Sequence, residues 1–468
     1  MKGSHSSGTG EETPALDQVL VYNSQTNLNR VTGNWWFPYD IFVVPQANGD
    51  LHYYAPNVIA AVYQWNAVSQ TFTSPPGFFD VMVANGNGTW TRTTKHGEVW
   101  QFNTAGYLVS ITNRYSLVHT LNRNAQTQAI TSIVDYAGRS TTVTYDAAGY
   151  IGSITDWGGR TTSFTYTPQG YLATITYPST TFYDRQTSQI VTRAKTVSFT
   201  YTSGTGTAQD GNLLTFVDDR GQTVMSNGYD SSDRATGTAM RGRQWTYTYL
   251  GGGTTKVVDP DGVTVVYSFN ASGAIVRKEV FTRTGLGQAP LRTGEPNSYV
   301  WLYERNSACG CDFVSKISYP DGRTTTLTHD ALGNLVTEIV DAPQGSRGAQ
   351  IKRVWTYSSF AQFSQLLTHT QPEGHAPGAS AADHTWTWTR DSLGTVTQLQ
   401  MPKSMINGAL QHPVITFTVN AVGHPLSRTW PSGRRDTLTY ASTTVTVQAV
   451  SKRGAGVPAR RARMAASR

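Results

Sequence analysis

Residues 135–178 read DYAGRSTTVTYDAAGYIGSITDWGGRTTSFTYTPQGYLATITYP, and the second half says again what the first half says. Gly138 returns as Gly159 and Gly149 as Gly170, each 21 residues later, with successive glycines 11, 10 and 11 residues apart. Each of these glycines closes a four-residue turn. Asp135, Asp146 and Asp156 open such turns, and Asp259, Asp330, Asp391, Asn103, Asn270 and Asn420 hold the same first place elsewhere. Asp or Asn first and Gly fourth is the signature of a type I turn whose glycine supplies a left-handed step. Pro168, Pro260, Pro320, Pro372 and Pro431 stand second in their turns, where a fixed φ near −65° is wanted.

Between the turns the pattern has period two. Thr141, Val143 and Tyr145 alternate, as do Thr162, Phe164 and Tyr166, and Val265, Tyr267 and Phe269. β-branched and aromatic residues in alternation predict strands with one buried face. The returning segments step by three instead: Leu108 to Ile111, Ile151 to Ile154, Leu172 to Ile175. A step of three predicts a β-bulge. The repeating unit is therefore a β-hairpin, and self-similarity at this period marks a repeat array. The turn at Asp230-Ser231-Ser232-Asp233 lacks the glycine and is expected to be altered.

This unit resembles the YD repeat of the RHS family of large bacterial surface and toxin proteins. The clearest copies are Thr144-Tyr145-Asp146-Ala147-Ala148-Gly149-Tyr150-Ile151 and Leu327-Thr328-His329-Asp330-Ala331-Leu332-Gly333-Asn334-Leu335. Asp156-Trp157-Gly158-Gly159-Arg160 and Tyr319-Pro320-Asp321-Gly322-Arg323 match the turn that begins the unit. The resemblance implies an all-β fold: an antiparallel strip of hairpins that curls into an open or partial β-shell. It also implies an irregular β-rich segment (17–115) followed by a YD-repeat array (116–450), to which composition adds a disordered N-terminus (1–16) and a basic disordered tail (451–468). Family members carry an Asp-Pro-x-Gly core motif after the array, which self-cleaves to free a toxin. Asp259-Pro260-Asp261-Gly262 stands mid-array and reads as a turn, so neither cleavage nor a toxin domain is expected here, and the chain reads as an interior or truncated piece of a longer protein. Insertions at 203–210, 286–297, 344–350, 374–383 and 403–412, rich in small and turn residues, are expected as loops on the rim of the array.

The totals exclude several classes. No run of 18 apolar residues exists to span a membrane as a helix, and no apolar signal region follows Met1. Lys452, Arg453, Arg460, Arg461, Arg463 and Arg468 account for six of the charges behind the net +7; the rest of the chain is near neutral, so no nucleic-acid partner is expected. Cys309 and Cys311 are too few for a structural zinc site and read as an ordinary loop, with a strained disulfide as the other reading.

No catalytic, cofactor-binding or metal-ligating residue stands out. Most aspartates are already turn residues, which leaves few for a paired-acid site. The spacings of His369, His375, His384, His412 and His424 fit no zinc template. Gly251-Gly252-Gly253-Thr254-Thr255-Lys256 has the wrong order for a phosphate loop. The turns account for the sequons at Asn87 and Asn270. The expected role is thus structural: a non-catalytic shell segment, secreted or cell-surface associated, of the kind that in RHS proteins encapsulates and delivers a C-terminal toxin. A cargo or a complementary shell polypeptide would be its partner. Rows such as Trp245, Tyr247 and Tyr249, or Trp386 and Trp388, carry the alternative of a surface module that binds glycans, against the commoner use of such rows in cross-strand packing.

Overall fold

The computed structural model describes residues 20–22, 35–55, 58–185, 187–204, 210–306, 311–345, 348–406, 408–441, 444–450 and 462–464. Its secondary structure is strand, turn and four one-turn 3-10 segments. One antiparallel ladder runs from Asp80–Ala84 through every later strand except two inserted hairpins, and its strand order closes on itself as a barrel. The ladder therefore already takes in strands of the expected irregular segment 17–115.

The duplicated stretch folds as a duplicate. Ser140–Tyr145 and Thr161–Tyr166 bury alternate residues in the same order, and so do Ile151–Thr155 and Leu172–Thr176. The step of three is a bulge in both copies. Tyr145 pairs with Ile151 and Thr144 with Ser153, so Gly152 is skipped; Tyr166 pairs with Leu172 and Thr165 with Thr174, so Ala173 is skipped. The extra residue turns Ile151 and Ile154, and Leu172 and Ile175, to the same face, where all four are buried.

The turns share one geometry. At Asp135 the N–H of Gly138 donates to the Asp135 carbonyl (2.9 Å), and one carboxylate oxygen accepts from the N–H groups of Ala137 and Arg139 (both 2.9 Å). The glycine takes φ +77°, which a Cβ would oppose. Asp146, Asp156, Asp259, Asp330, Asp391, Asn103 and Asn420 hold their turns through the same oxygen. The turn at Asp230 is not altered. Asp233 stands where glycine would, at φ +62°, and its N–H still donates to Asp230 O (3.1 Å). Aspartate tolerates the left-handed region better than most residues, and the Asn212 side chain donates to its carboxylate.

Successive turns fall alternately on two rims of the strip. The first rim holds Phe79 and the turns at 95–97, 113–116, 135–138 and 156–159. The second holds those at 103–106, 146–149, 167–170, 330–333, 391–394 and 420–423. The expected loops at 286–297, 344–350, 374–383 and 403–412 all lie on the first rim, but 403–412 is not a plain loop: Ser404–Ile406 pairs with Ala409–Gln411 as an inserted hairpin. Most of 203–210 lies outside the described residues. The first rim also bears a hairpin that sequence reading missed, Thr180–Asp184 paired with Gln189–Arg193.

Before the strip, Phe42–Pro45, Leu51–Ala55, Val58–Asn66 and Thr71–Thr73 form a separate four-stranded sheet. It is an apolar lid on one face of the strip: Phe37, Tyr39, Val43, Leu51, Tyr53 and Tyr63 share a core with strip residues from Leu108 to Leu213. A buried ion pair fixes the junction. Arg92 Nε donates to Asp80 Oδ2 (2.5 Å), the Tyr63 hydroxyl donates to the same oxygen (2.8 Å), and the Arg92 guanidinium lies 5.0 Å over the rings of both Tyr53 and Trp100. Burial pushes the Tyr53 hydroxyl up to about 12, against the nearby Arg92 charge.

Candidate functional site

The strip has two faces of opposite chemistry. One carries rows of hydroxyls that bond across strands: Thr144 with Ser153 (2.8 Å), Thr165 with Thr174 (2.7 Å), Thr200 with Thr215 (2.6 Å). Directly paired residues share a face, so the other face can be followed strand by strand. It runs Val143–Ile154, Phe164–Ile175–Val197, Phe199–Phe216–Met225. It continues through Tyr247–Val257–Val265–Val280–Tyr299 and Tyr303–Ile317. It ends in Trp355–His369–Trp386 and Trp388–Leu399–Ile415. Alternation of period two is what keeps this face apolar over so many strands.

Cover divides this one face into two regions. As far as Met225 it packs into the core beneath the four-stranded sheet. Beyond that, Trp245, Tyr247, Tyr267, Trp301, Tyr303, Trp355, Trp386 and Trp388 are only half-buried. Their partners are one another and a few charges on the same face. Trp355 and His369 stack at 5.1 Å with rings 5° apart, Trp386 and Trp388 lie 6.5 Å apart, and the Lys278 ammonium sits 5.0 Å over Trp301. Arg353 pairs with Glu338 (2.6 Å). Burial, helped by the Arg353 charge, holds His369 below its ordinary value. The aromatic rows considered for sugar binding thus belong to this face. Chemically it offers broad apolar contact with scattered cations, which suits an extended polypeptide rather than one small molecule.

The turn aspartates are committed to structure. In Asp135 burial works to raise the carboxyl, but the N–H and guanidinium of Arg139 and the N–H of Ala137 outweigh it and hold it below the usual range; Asp156 is held down in the same way by Arg160 and Gly158. Of the two cysteines, Cys311 is disulfide-bonded, not part of a plain loop, and Cys309 lies outside the described residues.

The residue just before the turn has a role that alternation alone does not reveal. The Tyr145 hydroxyl donates to Ile130 O (3.0 Å), Tyr166 to Ile151 O (2.8 Å), Tyr201 to Leu172 O (2.7 Å), Tyr229 to Leu213 O (2.9 Å) and Tyr249 to Ala235 O (2.8 Å). Each hydroxyl reaches back to the carbonyl at the bulge of the preceding hairpin, where the ladder is locally disrupted. Where arginine replaces tyrosine it does the same: Arg123 Nε to Leu108 O (2.8 Å), Arg305 Nε to Ile275 O (2.9 Å), Arg390 Nε to Leu366 O (3.0 Å). The signal in the sequence was the recurrence of Tyr or Arg at the strand end before many second-rim turns, as in Tyr145-Asp146, Tyr229-Asp230 and Arg390-Asp391, although Phe102, Phe269, His329 and Val419 hold that place in others.

This geometry defines a β-hairpin repeat protein: a curled strip stapled from unit to unit, with one apolar face. Residues 314–347 match the family model for the RHS repeat. The same turn and bulge recur along the ladder on either side of that matched stretch. No curated protein matches the chain. Among solved structures it is similar to TcdB2–TccC3 (12% identity, TM-score 0.40, covering 89% of this chain and 24% of that one). It is similar also to TcdB2–TccC3 without its hypervariable C-terminal region (12%, 0.41, 88% and 24%) and to the Tc holotoxin pore of Photorhabdus luminescens (10%, 0.32, 86% and 25%). The chain spans about a quarter of the length of these proteins.

Proposed function

We propose that the chain is a non-catalytic wall segment of an RHS-type shell, and that its apolar face holds a polypeptide cargo kept from folding. One observation carries this. A single continuous face is sealed by the chain's own sheet up to Met225 and left half-covered and aromatic beyond it. Half-covered aromatic surface of this extent is unfavourable in water unless something lies against it. By the same reading the chain works outside the cell that makes it, or on its surface, and delivers a toxin or other cargo as part of a longer assembly.

The test is binding of a permanently unfolded polypeptide, such as reduced and carboxymethylated α-lactalbumin, to the folded chain. Binding should quench the fluorescence of the face tryptophans, and Trp301→Glu together with Trp386→Glu should weaken it about tenfold or more. Correctly folded chain that binds no unfolded polypeptide, or that binds it equally well after both substitutions, sinks the proposal. Glycan binding through the same tryptophans would be the result in favour of an adhesin.

A further inference from the structure

The curled strip meets itself along a seam, and the seam has a rule. First-rim residues 79–115 touch second-rim residues 332–423, and aromatic rings lie against turn glycines across it, first-rim rings on second-rim glycines at Phe79 and Tyr115 and the reverse at Phe363. A Cβ placed on Gly423 would lie 2.5 Å from Tyr115 Cζ; one on Gly333 would lie 2.5 Å from Phe79 Cζ; one on Gly97 would lie 2.7 Å from Phe363 Cε1. Polar contacts fix the register: Lys95 Nζ donates to Leu332 O (2.9 Å), and the Tyr115 hydroxyl bonds Thr395 Oγ1 (3.0 Å). Only glycine permits this approach, because the ring occupies the space of a side chain.

The first rim continues past the seam with the same kind of residue. Tyr136 and Trp157 stand second in the next two turns and Tyr177 follows; they are 41%, 59% and 45% exposed. On the second rim, Gly149 and Gly273 close turns with φ +88° and +82°, and a Cβ on either would meet nothing within 4 Å. The chain thus displays exposed rings on the first rim, of which Tyr136 also packs on His119 and Trp157 carries the Arg139 guanidinium, and open glycine turns on the second.

We propose that the first rim around Tyr136, Trp157 and Tyr177 is a docking surface for the second rim of another copy of this chain, repeating between molecules the seam each molecule makes within itself. The contact is heterologous, one rim against the other, so it adds copies head to tail. It stands on the rim geometry and does not depend on what the apolar face holds.

Sedimentation of the full chain from about 1 to about 100 µM, the regime of modest interfaces, tests this. The expected result is a mass that rises with concentration. Trp157→Ser on the first rim, and Ala148→Arg with Ala271→Arg on the second, should each weaken association about tenfold or more. All these side chains are exposed, so folding is not at stake. Mixing the two variants should restore a one-to-one dimer, because each still carries one intact rim. A monomer at every concentration, association indifferent to Trp157, or variants that fail to complement each other would overturn the proposal.

Discussion

The hydroxyl of Tyr166 donates to the carbonyl of Ile151, 2.8 Å away, across the boundary between one hairpin and the one before it. Ile151 is fully buried at a bulge, where the ladder is locally disrupted. Tyr166→Phe should therefore destabilise the chain by about 1–3 kcal/mol, the range for stranding a buried acceptor. Tyr183→Phe, at an exposed ring on the inserted hairpin, should change stability by less than about 0.5 kcal/mol. Tyr166→Arg should recover part of the loss, since Arg123, Arg305 and Arg390 do the same work elsewhere. Urea denaturation of the three variants checks this.

Two glycines separate the demands of a turn from those of the seam. Gly138 has φ +77° and open space around it, so Gly138→Ala should cost about 1–2 kcal/mol for the left-handed backbone alone. Gly423 has φ +78° but also carries Tyr115 against it. Gly423→Ala should cost clearly more, and the excess should vanish in a Tyr115→Ala background. Melting temperatures of the four variants give the comparison.

The seam should also be visible as coupling. A double-mutant cycle with Tyr115→Phe and Thr395→Val removes one hydroxyl pair at 3.0 Å. The expected interaction energy is about 0.5–1.5 kcal/mol, within the range for residues in contact. Hydrogen exchange at 394–395 should rise in either single variant to the level of the double.

Stability should fall with acid in two stages. His119 is held below its ordinary value of about 6.5 by burial, opposed by Asp135. The unfolded chain takes up that proton first, so stability present above about pH 6.5 is lost as pH falls through the lower folded value. Asp135 and Asp156 are held below the ordinary carboxyl value of about 3.9. Their contribution is present above about pH 4 and is lost as pH falls through the folded values. His119→Gln should make the upper limb shallower, leaving the part due to histidines such as His369 that are also held low, and Asp135→Asn, which keeps the oxygen that caps the turn, should make the lower limb shallower, leaving the part due to Asp156. Stability measured from pH 8 to pH 2 resolves the two.

Much of this was legible in order along the chain because it is local. The turn at Asp135 is written in four residues, and the bulge after Tyr145 in the step from Ile151 to Ile154. Asp233 was misjudged because the left-handed place was read as requiring glycine, when aspartate also fits it. The tyrosine staple went unseen although its residues recur, since alternation accepts any β-former before the turn and only the partner carbonyl gives Tyr or Arg its meaning.

The sequence by itself determined a ribbon of hairpins with one apolar face, because turn chemistry and period-two alternation act over a few residues. Tertiary structure alone decided that Phe37 to Tyr63 cover that face as far as Met225 and no further, and that Tyr115 comes to rest on Gly423. Both depend on the accumulated twist and curl of many strands, a sum that no single repeat encodes.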